Sequence, residues 1–365
     1  MIINFSTINK VRLDEFLRQN LREKLEDPSL ASNSKIRRLI VAGAVSVNSV
    51  QVRRPAFELR GRSHVAVDFD EKKFLYEKQP DDIKYEVTQK DILFEDEYLI
   101  VVNKPAFFPT EQTIVGGEKR DNLHDALVRF LWAQNPSLRN PPYAGIMHRL
   151  DRETSGAILF TKQRSVNAAI QKMFESHDFT KRYVALCSAG TQKSRLQQQK
   201  NFSQGYKWTV EQQMNRISPK SQAAKWGVVP KNQGGLYSRT QFTILENLSV
   251  DGVQAFLVEA DLFTGGTHQI RVHMSWQGHP LFNDPRYGGD RILKGTTFSK
   301  YKQFIENCFS LLPRQALHAR SLGFVHPTTG KDICFESELP DDMKAVIAKW
   351  DTYVASRNLE EAAEY

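Results

Sequence analysis

The stretch His148-Arg149-Leu150-Asp151-Arg152-Glu153-Thr154-Ser155-Gly156 constrains this chain more than any other. It sets one carboxylate, Asp151, between two arginines and just ahead of the apolar run Ala157-Ile158-Leu159-Phe160. Four apolar residues behind a polar turn read as a buried strand. A loop residue at a strand start is held by a rigid frame and stays within reach of a ligand. Nearby positive charge favours the ionised form of an acid, so Asp151 is expected to be an anion at neutral pH. In that state it can act as nucleophile or base on a substrate that the arginines hold. The plain alternative is a surface or capping aspartate.

The elements around this stretch alternate irregularly. Leu13, Phe16, Leu17 and Leu21 recur at helical spacing over residues 11–22. A second helix carries Ile36, Leu39 and Ile40, with Asn33 or Ser34 as its cap and Gly43 as its stop. Val45–Val47 and Val50–Val52 alternate across the turn Asn48-Ser49, and Val65–Val67 makes a third strand. Residues 1–72 form one small unit on this reading, and the polar stretch 73–90 around Pro80 is a linker. A larger domain follows over 91–345. It has strands at Tyr98–Val102, at 157–160, at Arg182–Leu186, at Thr240–Leu245 and at Ala255–Glu259. Its helices lie at Asn122–Trp132 and near 164–175. Residues 188–235 give no readable pattern, and 346–365 read as a helix ending in an acidic tail. Such an order predicts α+β architecture with a mixed or antiparallel central sheet, not a doubly wound parallel one.

A second stretch, Thr264-Gly265-Gly266-Thr267-His268-Gln269-Ile270-Arg271-Val272-His273-Met274, has the makings of a site. Its glycines allow a tight backbone path, and Thr267 can cap a short helix ending at Gly278. If Arg271 faces Asp151, its planar cation keeps the acid ionised in a dry pocket. His268 and His273 are five apart, which is wrong for two ligands on one helical face, so no metal is expected. Tyr183 follows Lys181 and Arg182 at a strand start. It is either a half-buried sheet tyrosine or a flat ring on which a nucleobase stacks.

Charge points the same way. Lys plus Arg number 50 against 42 for Asp plus Glu, and the pI is near 9.2. Residues 35–62 concentrate the excess: Lys35, Arg37, Arg38, Arg53, Arg54, Arg60 and Arg62 face the single acid Glu58. Such a field suits a polyphosphate partner, and a solvated basic surface is its plain alternative. Cys187, Cys308 and Cys334 are too scattered for a disulfide framework or a zinc site. There is no signal-peptide pattern, no stretch near the ~20 apolar residues of a membrane span, and no glycine-rich phosphate loop. A cytoplasmic chain without metal, cofactor or membrane is expected, with a monomer as default.

The motifs resemble those of the RluA-type pseudouridine synthases. His-Arg-Leu-Asp-x-x-Thr-Ser-Gly stands unbroken at 148–156, and Gly-x-Thr-His-Gln-Ile-Arg at 265–271. Gly278-His279-Pro280-Leu281, Asp284-Pro285-Arg286-Tyr287-Gly288, Leu317-His318-Ala319 and Phe324-x-His326-Pro327 are also similar to that family. Residues 1–70 resemble the alpha-L RNA-binding module, so the resemblance spans about 10–345. It implies an RNA uridine isomerase with Asp151 as catalytic aspartate, Tyr183 stacked on the target uracil and Arg271 paired with Asp151. Arg149 would help the uridine leave its helix or fill the gap, and His148 and Ile270 would line the substrate site. Lys35, Arg37, Arg38, Arg53 and Arg54 would grip RNA. Large-subunit ribosomal RNA is the expected substrate, with transfer RNA as the alternative. Two departures stand out. Lys104-Pro105-Ala106-Phe107 lacks the glycine the family usually has soon after Lys-Pro, and 188–235 fit the pattern poorly.

Two rival readings use the same residues. A non-catalytic RNA-binding protein would not need Asp151, Tyr183 and Arg271 together. A glycoside hydrolase also places a carboxylate at an anomeric carbon, but it usually needs a second acid, and Glu153 is badly placed for one.

Overall fold

Ser155–Thr161, the strand behind the Asp151 loop, is buried at every residue, as its apolar sequence demands. It pairs antiparallel with Leu99–Lys104 and, at its first two residues, parallel with Leu317–Val325. The two strands meet closely. Gly156 adopts φ +115°, and a β-carbon there would fall 2.1 Å from the Ala319 carbonyl oxygen. Only glycine fits, which is the physical reason the motif ends in that residue.

The chain is described from a computed structural model, covering residues 2–24, 33–41, 43–68, 83–115, 118–188, 190, 196, 203–218, 224–248, 255–293 and 299–363. It divides into two units, Met1–Pro80 and Asp81–Tyr365.

In the larger unit an eleven-stranded sheet carries the site. Its path runs from Trp226–Val229 through Lys207–Arg216, Leu236–Asn247, Phe256–Leu262, Thr180–Cys187, Leu317–Val325, Ser155–Thr161 and Leu99–Lys104 to Ile92–Glu95. Gly145–Ile146 and Asp332–Glu336 add on at the side. Apart from the short parallel contact, the pairings are antiparallel, so the α+β expectation holds.

Three segments differ from the sequence reading. Residues 188–235 contain two strands, Lys207–Arg216 and Trp226–Val229. In the first, Trp208, Val210 and Met214 turn inward, but intervening Thr, Glu and Gln residues hide the alternation. Residues 83–90 belong to the larger unit: Val87 is buried in its core, and Tyr85 meets Phe108 edge-on. The rest of the expected linker, 73–82, lies outside the described residues. The final helix, Asp341–Ala363, starts before residue 346, and its Met343, Val346 and Trp350 are buried with Phe304 and Ile305. It is part of the core, because burying three large apolar side chains is worth several kcal/mol (about 1.5–3 each).

The small unit packs helices Leu13–Arg22 and Asn33–Val41 on a four-stranded antiparallel sheet. Leu13, Leu17, Leu21, Ile36, Leu39 and Ile40 form its core with Val45, Val65 and Val67. Asn48 and Ser49 both take left-handed φ, the geometry of a tight hairpin turn. The strand Ile2–Thr7 carries too weak an alternation to be read from sequence. Six pairs with Ser63–Asp68 hold it in the sheet.

Candidate active site

The Asp151 loop is shaped by side chains from elsewhere in the chain. Thr110 donates its hydroxyl to the Leu150 carbonyl (3.0 Å), Lys104 Nζ to the Arg152 carbonyl (3.0 Å), and Arg314 Nη1 to the Glu153 carbonyl (3.0 Å). The Thr154 N–H closes a turn onto the Asp151 carbonyl (3.0 Å). Lys104 is fully buried and also donates to the Pro105 and Phe108 carbonyls. Burial brings its ammonium down to about 7, with Glu153 opposing that shift. His318 steadies the far end of the loop: it shares a 2.9 Å hydrogen bond with Ser155 Oγ and donates Nε2–H to the Ser337 carbonyl. Three carbonyls of one loop, each met by a different distant donor, leave its backbone little freedom.

Asp151 points at Arg271. Arg271 lies in the helix Gln269–Trp276 and donates Nη1 to Asp151 Oδ2 at 2.8 Å. Its other edge forks onto Asp284, Nε to Oδ2 at 2.7 Å and Nη2 to Oδ1 at 2.9 Å. Asp284 is fully buried and also accepts the N–H groups of Arg286 and Tyr287. The guanidinium is thus fixed on both sides, a geometry that Lys does not supply. Burial opposes its charge, but the two carboxylates outweigh burial and raise its pKa.

Burial alone would raise the Asp151 carboxyl. His268 and Arg271 outweigh it and hold the acid below the usual carboxylate range. Burial pushes His268 down to about 4, so at neutral pH the imidazole is uncharged and Arg271 is the cation that keeps Asp151 ionised. His268 Nε2 stands 3.7 Å from Asp151 Oδ1, and its Nδ1 is 2.9 Å from the Tyr287 hydroxyl. Tyr183 sits half-buried on an apolar cluster that includes Ile270 and Phe256. Burial, and then the Asp151 charge, raise its phenol pKa well above 10. Among the described residues no group of three or more His, Cys, Asp or Glu is arranged to hold a metal.

A family model described as RNA pseudouridylate synthase matches residues 98–276. Ribosomal large subunit pseudouridine synthase D of Zymomonas mobilis is 32% identical over 321 residues, covering 86% of this chain and 87% of that protein. The chain belongs to the RNA pseudouridylate synthase family. The protein of the same name from Vibrio parahaemolyticus is 29% identical over 348 residues, 94% of each chain. The solved structure of human RNA pseudouridylate synthase domain containing 4 shares the fold, with a TM-score of 0.51 at 20% identity over 72% of this chain and 93% of that one. The RluA-type resemblance of the motifs is borne out.

Within this synthase several expected placements change. The arginines beside Asp151 in sequence do not supply its fork. Arg149 is exposed and pairs with Glu111, while Arg152 pairs with Glu153 at 2.8 Å. Successive residues of an extended loop point different ways, so the cation that matters comes from 120 residues on. His148 turns toward the strand Ser155–Thr161: Nε2 accepts the Leu159 N–H at 3.0 Å, the ring rests on Phe174, and burial pushes it down to about 3. Ile270 is buried in the core, in the apolar cluster against which Tyr183 packs. The helix cap is His268 at φ +56°, not Thr267, and neither Gly265 nor Gly266 needs left-handed φ. Instead Gln269 Oε1 accepts from Thr264 Oγ1 and the Gly266 N–H, closing the loop. Where the family usually has glycine, Phe107 takes φ +62°, at a steric cost glycine would avoid, and its ring lies 5.9 Å from the Arg152 guanidinium.

In the small unit Arg37, Arg53, Arg54, Arg60 and Arg62 are exposed and Lys35 is half-buried. Arg38 lies in the helix Asn33–Val41, and its side chain is outside the described residues. A cleft of about 240 Å³ beside them is lined by Arg12, Asp14, Glu15, Arg18, Asn33 and Arg37. Sequence reasoning missed Lys104, Thr110, His268, Asp284 and Arg314 as parts of the site. The signal was present for three of them, since Lys104, His268 and Asp284 lie inside motifs already singled out.

Proposed function

We propose that this chain isomerises uridines of large-subunit ribosomal RNA to pseudouridine, with Asp151 as the reacting carboxylate. The observation that carries the assignment is the chain Asp151–Arg271–Asp284, which keeps one acid ionised in a part-buried pocket. The reaction breaks the bond between the sugar and the uracil nitrogen, turns the base, and joins the same sugar carbon to a ring carbon. Atoms and electrons balance without oxidant, water or phosphate donor. An ionised carboxylate can attack the anomeric carbon, add to the uracil ring, or remove a sugar proton.

The other groups take supporting parts. Arg271 holds Asp151 charged and aimed. Tyr183 enters as a neutral phenol, offering a flat face to the uracil and an O–H able to donate. Arg149, exposed beside the loop, is placed to meet a helix from which the uridine is turned out, an extrusion that costs a few kcal/mol. The detached base must be held and reoriented, which favours the rigid loop described above. Lys35, Arg37, Arg38, Arg53 and Arg54 supply a phosphate grip on this reading.

The ribosomal assignment rests on the names of relatives that align with most of the chain, and transfer RNA is not favoured. The reading places the protein in the cytoplasm as a monomer. No helix among the described residues is long and apolar enough to cross a membrane. The test is incubation with RNA from cells lacking the protein, followed by pseudouridine mapping. New pseudouridine that disappears with Asp151→Asn supports the assignment. RNA binding without conversion by the wild type would overturn it in favour of a non-catalytic RNA-binding protein.

A further inference from the structure

Four lysines and arginines are buried among the described residues: Lys104, Lys181, Arg271 and Arg314. Three are fully engaged. Lys104 meets three carbonyls, Arg271 meets two carboxylates, and Arg314 forks onto Asp342 while holding backbone carbonyls. The Lys181 ammonium has neither a hydrogen bond nor an acid among the described residues, although the residue is only 9% exposed. Its ammonium has the Phe174 ring at 5.6 Å, and burial lowers its pKa with no carboxylate opposing. Leaving a cation buried and unpaired is costly, and proteins usually neutralise or pair such a group.

The position gives that cost a use. Lys181 and Tyr183 stand two apart on the strand Thr180–Cys187, so they share a face, roughly 7 Å apart along the chain. On one side is Phe174, the ring on which His148 rests; on the other is Gly265, which opens the loop leading to His268 and Arg271. A β-carbon at Gly265 would lie 3.8 Å from Lys181 Nζ, and glycine leaves that approach uncovered. Other cations nearby are already paired, Arg182 of the same strand with Asp261 and Arg239 of the strand Leu236–Asn247 with Glu211. The ammonium therefore waits beside the proposed uracil platform, between Phe174 and the loop that leads to Arg271.

We propose that Lys181 is the phosphate-binding residue of the site, taking a backbone phosphate next to the target uridine when RNA enters. The proposal rests on the RNA-isomerase reading above and adds the group that anchors the substrate's backbone at the reaction centre. A phosphate fits because it is the anion that RNA carries beside every base, and a charge-assisted contact would satisfy the donor.

The test compares full-length wild type, Lys181→Met and Lys181→Arg on large ribosomal RNA from cells lacking the protein. Three quantities are read: binding affinity across a salt series, pseudouridine yield against RNA concentration, and melting temperature without RNA. Lys181→Met is expected to bind about tenfold more weakly, with the salt slope reduced by about one. Its KM should rise while kcat at saturating RNA stays near wild type, and Lys181→Arg should recover most of the affinity. Its melting temperature should not fall, because the free protein loses an unpaired charge. Unchanged affinity with an unchanged salt slope would overturn the proposal. So would a lower melting temperature for Lys181→Met, since the ammonium would then already have a partner. If wild type binds RNA but makes no pseudouridine, the enzymatic reading fails while the binding and melting measurements still judge Lys181.

Discussion

The cations around Asp151 and the cations of the small unit are the same residue types under opposite conditions. Around Asp151 the cations that shape the site, Lys104, Arg271 and Arg314, are buried and tied to named acceptors. Arg271 has two carboxylates and Lys104 three carbonyls. In the small unit Arg37 is exposed and only 3.5 Å from Asp14, while Arg53 contacts Gln51 through a side-chain hydrogen bond at the surface. Buried charges interact strongly because little water screens them, and exposed ones are damped by solvent and salt. The first arrangement fixes geometry at a reacting atom. The second suits a long-range attraction that tolerates many arrangements of a phosphate backbone.

The sharpest way to break the comparison is Asp151→Asn. Conversion of uridine should vanish while RNA affinity stays within a few-fold, as read by modification mapping beside a binding titration. Matched losses in both would mean that Asp151 serves RNA binding and not chemistry. Next in size is Asp284→Asn, which releases one side of the Arg271 fork. Initial rates should drop about 10–100-fold, the scale seen when a group that orients a site residue is lost. A wild-type rate would show that Arg271 needs no second acid.

Acid should separate the two regions by stability. His273 and His318 are buried and His148 and His268 largely so, and burial pushes all four pKa values down to about 3 or 4. The unfolded chain, with histidines near 6.5, binds more protons across that interval. Stability should therefore fall as pH drops below about 6.5 toward 4, by up to about 1.4 kcal/mol per pH unit for each histidine. Melting curves across that range check it, and a flat profile would show these rings reach protons without unfolding. Lys104→Met should cost about 2 kcal/mol by leaving buried carbonyls unpaired, whereas Lys181→Met should cost nothing. The smallest effect is expected from Arg53→Gln with Arg54→Gln. Folding and kcat should hold, and RNA affinity should fall several-fold at low salt and less at high salt. Salt-independent weakening would mean that these arginines make specific contacts.

Much of the fold could be read from spacing. Leu13, Phe16, Leu17 and Leu21 marked a helix because 3.6 residues per turn stack them on one face. Ala157 to Phe160 marked a central strand because a segment flanked on both sides needs apolar residues throughout. The strand Lys207–Arg216 was missed, since polar residues outnumber its buried ones. The two motifs at 148–156 and 264–274 stood out as local patterns, and so did the candidates Asp151 and Arg271.

By itself, then, the sequence determined which residue types sit at loops, strand starts and helix faces, because backbone periodicity and turn chemistry act between near neighbours. It put a glycine at the end of the first motif, but the requirement for it, the Ala319 carbonyl pressed against Gly156, belongs to the fold. Tertiary structure alone decided which arginine serves Asp151, why Asp284 steadies it, and how Thr110, Lys104 and Arg314 fix one loop. Those contacts join positions up to 161 residues apart. Charge pairing at such separations depends on where the folded sheet brings side chains, and no local period encodes it.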